Sequence, residues 1–274
     1  MESAPGPAEE AAAARLAPYT PLCVIACQDS GDPLAHALSR RFGLPANGAG
    51  APRLGTYARG RGAEYTVDTV SRSGRRHVTA VRRLHTRRQG LRSVHGHTSL
   101  IAPDHGPAPA LIGYAHEVLD ALGIDHGPAH VRILLTAAGP ALLHASPRLG
   151  DRVLPGYDDV CLGANQADLT ALAYLAPHEF LDRWAGRTYA KLCEAQVVDA
   201  AADAHGAVDG TLARLDRAVA DEIAALPSVY CLDTRPLPGG VRPVAYTLHA
   251  SRLQLQRDRR RIRQLLSRAA GTGR

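Results

Sequence analysis

Apolar positions along the chain recur at two spacings, and their alternation predicts a layered α/β protein. PLCVIAC (21–27) is a short apolar run and predicts a buried strand. DSGDPLAHALSRRFG (29–43) follows with helical spacing, Asp32 placed as a cap, Pro33 in the first turn and Gly43 at the end. EYTVDTVS (64–71) and HVTAVRRL (77–84), joined by SRSGRR, alternate with period two and predict a β-hairpin. That alternation puts Tyr65, Val67 and Thr69 on one face and Glu64, Thr66 and Asp68 on the other, polar face. PALIGYAHEVLDALG (109–123) is the clearest helix, striped by Leu111, Tyr114, Val118 and Leu122 and closed by Gly123. VRILLT and ALLHA flank an AAGP turn and predict a second hairpin over 130–146. ADLTALAYL and PHEFLDRW predict short helices, VDGTLARLDRAVADEIAAL (208–226) an amphipathic one, and SVYCL and VRPVAYTL strands. SRLQLQRDRRRIRQLLSR predicts a basic terminal helix that buries Leu255, Ile262 and Leu266.

Where periodicity lapses, the expectation is loop or tail. Residues 1–20 are rich in Ala, Pro and Glu and read as a flexible tail. LPANGAGAPRLG (44–55) reads as a loop, and residues 85–108 as a polar loop of His, Arg, Gly and Pro.

Charge and composition narrow the function classes. The net charge is +6 and the pI about 9.3, which favours acidic partners such as phosphates. Almost all the positive charge is arginine, Lys191 being the only lysine. Arg72, Arg75, Arg76, Arg82, Arg83, Arg87, Arg88 and Arg92 crowd the first hairpin and its exit, and guanidinium forks suit phosphate oxygens. Aromatic residues make up only 4%, so no stacking platform for single strands accompanies them, and an arginine-mediated nucleic-acid binder is the weakest reading. Five cysteines form no CxxC pair, which argues against a disulfide framework or zinc site and for a reducing cytoplasm. The first residues, MESAPGPAEEAAAARLAP, lack the apolar core of a secretory signal, and no apolar run approaches the ~20 residues of a membrane helix.

Local motifs are scarce. There is no GxxxxGK[ST], GxSxG or HExxH. GAGAPRLG (48–55) lacks the spacing of a nucleotide loop. His95, His97, Asp104 and His105 could bind a metal in principle, although histidines in a polar loop are more often simply exposed.

Longer segments are more informative. EYTVDTVSRSGRRHVTAVRRL, then YAHEVLDALGIDHGPAHVRILLT, then GPALLHASPRLG resemble the C-terminal half of ATP-grasp ligases of the L-amino acid ligase type. The corresponding patterns there are GxEYVVDTVSxDGxHxVTxVW and ALGIxxGPAHxExMxTxxGPxLxExxxR. PLCVIACQDSGDPLAHALSRRFGLPANG resembles the strand–helix unit of that family's N-terminal domain, and LPSV (226–229) and RDRRRIRQLL resemble its tail. The resemblance implies a partial ATP-grasp fold of α/β (α+β) class. Its expected parts are a tail (1–20), a remnant of the N-terminal α/β domain (21–55), the large lobe with an antiparallel sheet (56–176) and a C-terminal α+β subdomain (177–274). It also implies ATP and Mg²⁺ as cofactors. The reaction implied joins a carboxylate, such as an amino acid, to an amine through an acylphosphate, its charge neutralised by Mg²⁺ and cationic side chains.

Two departures qualify that expectation. The metal-ligand carboxylates of the pattern are replaced by Arg132 and His144, and an Asn-type position carries Ser146; Arg148 alone keeps the expected residue, one that would hold acylphosphate or carboxylate. Hard Mg²⁺ wants oxygen ligands, so the metal site reads as degenerate. The family also carries a lysine-bearing small lobe between the LPxNG loop and the EYxVDTV strand, and here LPANGAGAPR runs almost directly into LGTYARGRGAEYTVD. The leading expectation is a catalytically impaired pseudoenzyme or subunit, pairing with itself or with a complete ATP-grasp partner. The alternative is an active ligase in which Glu64 and Asp68 join the cation or phosphate network and Arg82, Arg87, Arg132, Ser146 and Arg148 bind phosphate. The plain reading of Glu64 and Asp68 is a solvated hairpin face.

Overall fold

A computed structural model of the chain describes residues 6–47, 62–89, 92–151, 153–199, 212, 214–237 and 240–271. GAGAPRLG (48–55) lies outside the described residues, as do the side chains of Arg87, Arg88, Arg92 and His95. The elements are α1 (Pro7–Leu16), α2 (Asp32–Arg41), β1 (Ala63–Arg72), β2 (Arg75–Gln89), β3 (Arg92–Leu100), α3 (Ala108–Ala121), β4 (Gly127–Thr136), β5 (Gly139–Ser146), α4 (Pro155–Leu162), α5 (Gln166–Leu175), α6 (Pro177–Arg183), β6 (Glu194–Asp199), α7 (Arg217–Ala224), β7 (Val229–Leu237), β8 (Gly240–His249) and α8 (Arg252–Gly271). The strands hydrogen-bond in the order β5-β4-β1-β2-β3-β6-β8-β7. The chain divides into two compact units, one of residues 1–81, 103–158 and 164–190, the other of 82–102, 159–163 and 191–274.

In the first unit both expected hairpins form. Ser73 (φ 50°) and Gly74 (φ 74°) are both left-handed between β1 and β2, as a two-residue hairpin turn of the primed kind requires. β1 pairs antiparallel with β4, and β4 with β5. The expectation of a solvated polar face on β1 is corrected, because Thr66 and Asp68 are buried along with the apolar positions. β1 lies between two strands, and α3, α5 and α6 also pack against it. Val70 joins Leu169, Ala173, Phe180 and Ala185 in one apolar cluster. α3 buries Ala108, Leu111, Ala115 and Leu119, a stripe turned by about one residue from the expected one, and Gly123 (φ 62°) ends it. Arg76, nearly fully buried on β2, fastens the end of α3 through Asp120 Oδ1 (2.5 Å) and the Ile124 carbonyl (3.1 Å).

Three further expectations are corrected. The tail forms α1, with Pro7 and two glutamates in its first turn, Arg15 in its last and Ala13 buried; these suit the helix dipole. PLCVIAC forms no strand, since only Ala26 makes a bridge, a parallel one to Arg148. An apolar run becomes a strand only when a ladder partner lies alongside it. The polar stretch 85–108 is largely strand: β2 continues to Gln89, and β3 pairs with β2 and then β6.

In the second unit β6 pairs with β8 and β8 with β7. The core is Val198, Leu212, Ile223, Ala245, Ile262, Leu265 and Leu266. α8 buries Leu255, Ile262 and Leu266 as its spacing predicts. The amphipathic helix expected over 208–226 spans Arg217–Ala224, capped by the Asp216 carboxylate, and 200–211 and 213 lie outside the described residues.

Candidate functional site

The site is assembled on one face of the first unit's sheet. In the antiparallel ladder Thr66 opposes Arg132, Asp68 opposes His130, Arg132 opposes His144, and His130 opposes Ser146. Directly opposed residues share a face, so Glu64, Asp68, His130, Arg132, His144 and Ser146 project together. The register slips between Arg132 and Ile133, a β-bulge at the site itself.

Each cation of the face is matched by an anion. Arg132 donates to Glu64 Oε1 at 2.6 Å. His144 Nε2 lies 3.3 Å from Asp29 Oδ1. Arg148, only 4% exposed, donates through Nε to the same Asp29 oxygen and through Nη1 to Asp151 (2.8 Å) and the Leu149 carbonyl (2.7 Å). Ser146 donates to Asp32 Oδ2 at 2.6 Å. His130 donates through Nδ1 to the buried Asp68 carboxylate at 2.6 Å, with Asp151 Oδ2 3.6 Å from its other nitrogen. Asp29 comes from the single 3-10 turn just before α2 and Asp32 from the first residue of α2, so this segment supplies the counter-charges to the hairpin.

Titration follows from this pairing. Burial alone would raise the Asp29 carboxyl, but hydrogen bonds and charge from Arg148 and His144 prevail and lower it to about 2. Burial alone would lower Arg148, but Asp29 and Asp151 hold it above its ordinary value.

The structure thus brings Glu64, Asp68, Arg132, His144, Ser146 and Arg148 together. Arg82 is buried in the second unit, and the Arg87 side chain lies outside the described residues. Sequence reasoning missed Asp29, Asp151 and Gln166. Gln166 is buried at the start of α5, donates to the Thr69 (3.0 Å) and Ala129 (3.1 Å) carbonyls, and accepts from Gly150 N–H (2.8 Å). It thereby clips β1 to β4 and fixes the loop after Arg148. Gly150 is required there, since a Cβ would sit 2.7 Å from Asp68 Oδ1. Asp29 lies 119 residues from Arg148 in the chain, so no local spacing marks it in advance.

The donor set does not suit Mg²⁺. A hard cation needs several oxygen ligands, whereas Arg132 and His144 occupy the hairpin, and Glu64 and Asp29 are engaged by them. Among the described residues no group of three or more His, Cys, Asp or Glu is arranged to hold a metal ion. Beside the ion-pair network lies a cavity of about 350 Å³, lined by Val24, Asp32, His36, His126, Pro128 and Tyr174 among others. Burial and the charge of Arg72 lower His126, and burial raises Tyr174 to about 12.

No protein-family model matches the sequence. A stretch of 71 residues, 26% of the chain, is 34% identical to dapdiamide A synthase of Enterobacter agglomerans and covers 17% of it. The fold superposes on the L-amino acid ligase from Bacillus licheniformis with a TM-score of 0.68 at 16% identity, covering 93% of this chain and 83% of that one. It also superposes on the phosphoribosylaminoimidazole carboxylase ATPase subunit from Aquifex aeolicus with a TM-score of 0.51 at 11% identity, covering 74% of this chain and 56% of that one. An ADP complex of N5-carboxyaminoimidazole ribonucleotide synthetase matches with a TM-score of 0.52 at 14% identity, over 76% of this chain and 50% of that one. The chain therefore spans about half the length of the carboxylase subunit and of the ribonucleotide synthetase, and a much smaller part of the dapdiamide synthase.

Proposed function

Because the chain has the ATP-grasp fold, we propose that it is a catalytically silent relative of the ATP-dependent carboxylate–amine ligases, a binding module or subunit. The observation that carries this reading is the ion pairing of the hairpin: Arg132 with Glu64, and His144 and Arg148 with Asp29. Phosphoryl transfer needs positive charge that is free to meet the developing anion. Here the cations are already neutralised by carboxylates of the same chain, and two of them stand where the ligase pattern has acids. The lysine-bearing small lobe is absent from the sequence between the LPANG loop and β1. What the remaining residues can do is bind. The cavity beside Asp32 is large enough for an amino acid or similar small molecule, with aliphatic and proline walls and a carboxylate fixed by Ser146. A cytoplasmic location suits the five free cysteines, and the natural partner is a complete ATP-grasp protein or a second copy.

Calorimetric titration of the full chain with ATP, with and without Mg²⁺, tests this reading. The expected result is no Mg²⁺-dependent heat and no phosphate release when amino acids are added. Mg²⁺-dependent binding, or phosphate release that requires an amino acid, would establish the active-ligase alternative.

A further inference from the structure

The cavity of about 350 Å³ lies wholly in the first unit and has two unlike ends. Its walls are chiefly aliphatic, with Val24, Ile25, Ala46, Pro128 and Pro147 among them. Asp32 borders it where the Ser146 hydroxyl holds the carboxylate, and Ser146 faces His130 across the ladder. Tyr174 borders it at Gly127, where a Cβ would stand 2.8 Å from the phenol oxygen. Gly127 precedes His130 by three residues of β4, about 10 Å at ~3.3 Å per residue. The phenol end is therefore separate from Asp32, and about 17 Å of strand from Arg132.

The phenol end is a cluster of donors. His126, also in the lining, accepts the Ser73 N–H at Nδ1 (3.4 Å). Burial and the charge of Arg72 lower its pKa, so the ring is neutral and Nε2 carries the proton. Asn47 fixes the backbone beneath this ring. It accepts from the Asp125 and His126 N–H groups (2.9 and 2.8 Å) and donates to the His126 carbonyl (3.1 Å). The Tyr174 phenol makes no hydrogen bond among the described residues. Burial raises it to about 12, which keeps its O–H in place as a donor. The Arg72 guanidinium lies over the same ring, 5.4 Å from its centroid. Arg72 Nη1 is buried with no hydrogen-bond partner, and no carboxylate pairs with Arg72 among the described residues. An imidazole N–H, a phenol O–H and an uncompensated guanidinium at one end of an apolar cavity match an anionic oxygen head on a hydrocarbon body.

We propose that this cavity binds a small aliphatic monocarboxylate, its head taken by Tyr174 Oη and His126 Nε2 beside the charge of Arg72, and its chain by the proline and aliphatic walls. The inference deepens the binding-module reading and rests on the same cavity, but not on whether the hairpin binds ATP. An α-amino acid suits this end less well. Its ammonium needs acceptors beside the carboxylate, and the acceptor nitrogen of His126 is already taken by Ser73. Some 17 Å of strand from the hairpin, the carboxylate is carried and not phosphorylated. Arg72 is a positioning residue, acting through the ring on which it lies.

The test is titration of the full chain with hexanoate, without ATP or Mg²⁺, by calorimetry and by the His126 ring signals in NMR. Saturable binding is expected, with the His126 signals following the binding curve and thermal stability rising with hexanoate. Hexanol and hexylamine, of the same chain length, should bind at least about tenfold more weakly, as should leucine and inorganic phosphate. Tyr174→Phe should weaken hexanoate about tenfold, the loss expected for one hydrogen bond to a charged group, and leave hexanol unchanged. Arg72→Gln should narrow the preference for hexanoate over hexanol, and Arg72→Lys should restore most of it, which an arginine with a purely structural role would not do. Arg217→Gln on the exposed face of α7 should change nothing. Hexanol or hexylamine binding as tightly as hexanoate would overturn the proposal, as would unmoved His126 signals at high-millimolar hexanoate. Leucine or phosphate binding more tightly than hexanoate would overturn the ligand class. Mg²⁺-dependent ATP heat beside intact hexanoate binding would overturn the silent-ligase reading alone, so the two failures are distinguishable. The His126 signals of the unaltered chain decide the matter even if a variant does not fold.

Discussion

At the scale of single residues, the candidate site is a set of cations held by carboxylates from another segment. Asp29 receives both Arg148 and His144, and its carboxyl is lowered to about 2. An unfolded aspartate titrates at about 3.9. The folded value is the lower one, so the pairing contributes stability that is fully present above the unfolded value and is lost as pH falls through the folded one. Urea midpoints measured between about pH 5 and pH 2 should therefore drop, and Asp29→Asn should flatten this part of the curve. Since Asp29 is 41% exposed, solvent screening keeps the effect modest. An unchanged pH profile in Asp29→Asn would mean that Arg148 does not draw its stability from this carboxylate. A second outcome follows from Arg132 and His144 standing at acid positions. Replacing both, Arg132→Glu with His144→Glu, releases Glu64, leaves Asp29 held by Arg148 alone, and gathers carboxylates on one face. Electron paramagnetic resonance should then detect bound Mn²⁺ in the double variant and none in the parent. Equal binding in both, or in neither, would show that these two cations are not what keeps a divalent ion out.

At the scale of elements, the site depends on a clip that periodicity does not reveal. Gln166 makes three buried hydrogen bonds that tie β1, β4 and the loop at Gly150. Gln166→Ala leaves those groups without that partner and should cost about 2 kcal/mol or more in denaturant unfolding. Gln166→Glu should cost more than the alanine change, because a carboxylate would face the Thr69 and Ala129 carbonyls. The reverse order would show that packing, not donation, is what Gln166 supplies. The same contrast explains how much of the fold was legible. α2, α3, the two hairpins and α8 were readable because apolar spacing is direct evidence of a buried face. β3 was not, because RSVHGHTSL buries His97 and Thr98 through ring stacking and neighbouring strands instead of an apolar stripe. The buried strand read in PLCVIAC failed for the opposite reason: it has the right residues and lacks a ladder beyond Ala26. β1 betrayed its hairpin yet hid its burial, since Asp68 gives no sign in sequence that His130 will be its partner across the ladder.

At the scale of the whole molecule, the chain holds two separate apolar cores. That Arg132, His144 and Ser146 share one hairpin, with Arg148 just beyond it, was legible from spacing, whereas Asp29 was not, because it reaches His144 and Arg148 only through tertiary folding. In the second unit the Ile262 side chain, on the same helix α8 as Arg259 and Arg263, is fully buried with Val198, Ile223 and Ala245. Truncating it, Ile262→Ala, opens a cavity and should cost about 2–5 kcal/mol. Hydrogen exchange should then quicken in β6, β8 and α8, the elements that pack on that core. The acid response of Asp29 belongs to the first unit and rests on Arg148, which the change leaves untouched. If Ile262→Ala abolished the acid response of Asp29 together with exchange protection, the two cores would unfold as one cooperative body. Retention of that response beside faster exchange in α8 is the outcome that separate cores predict.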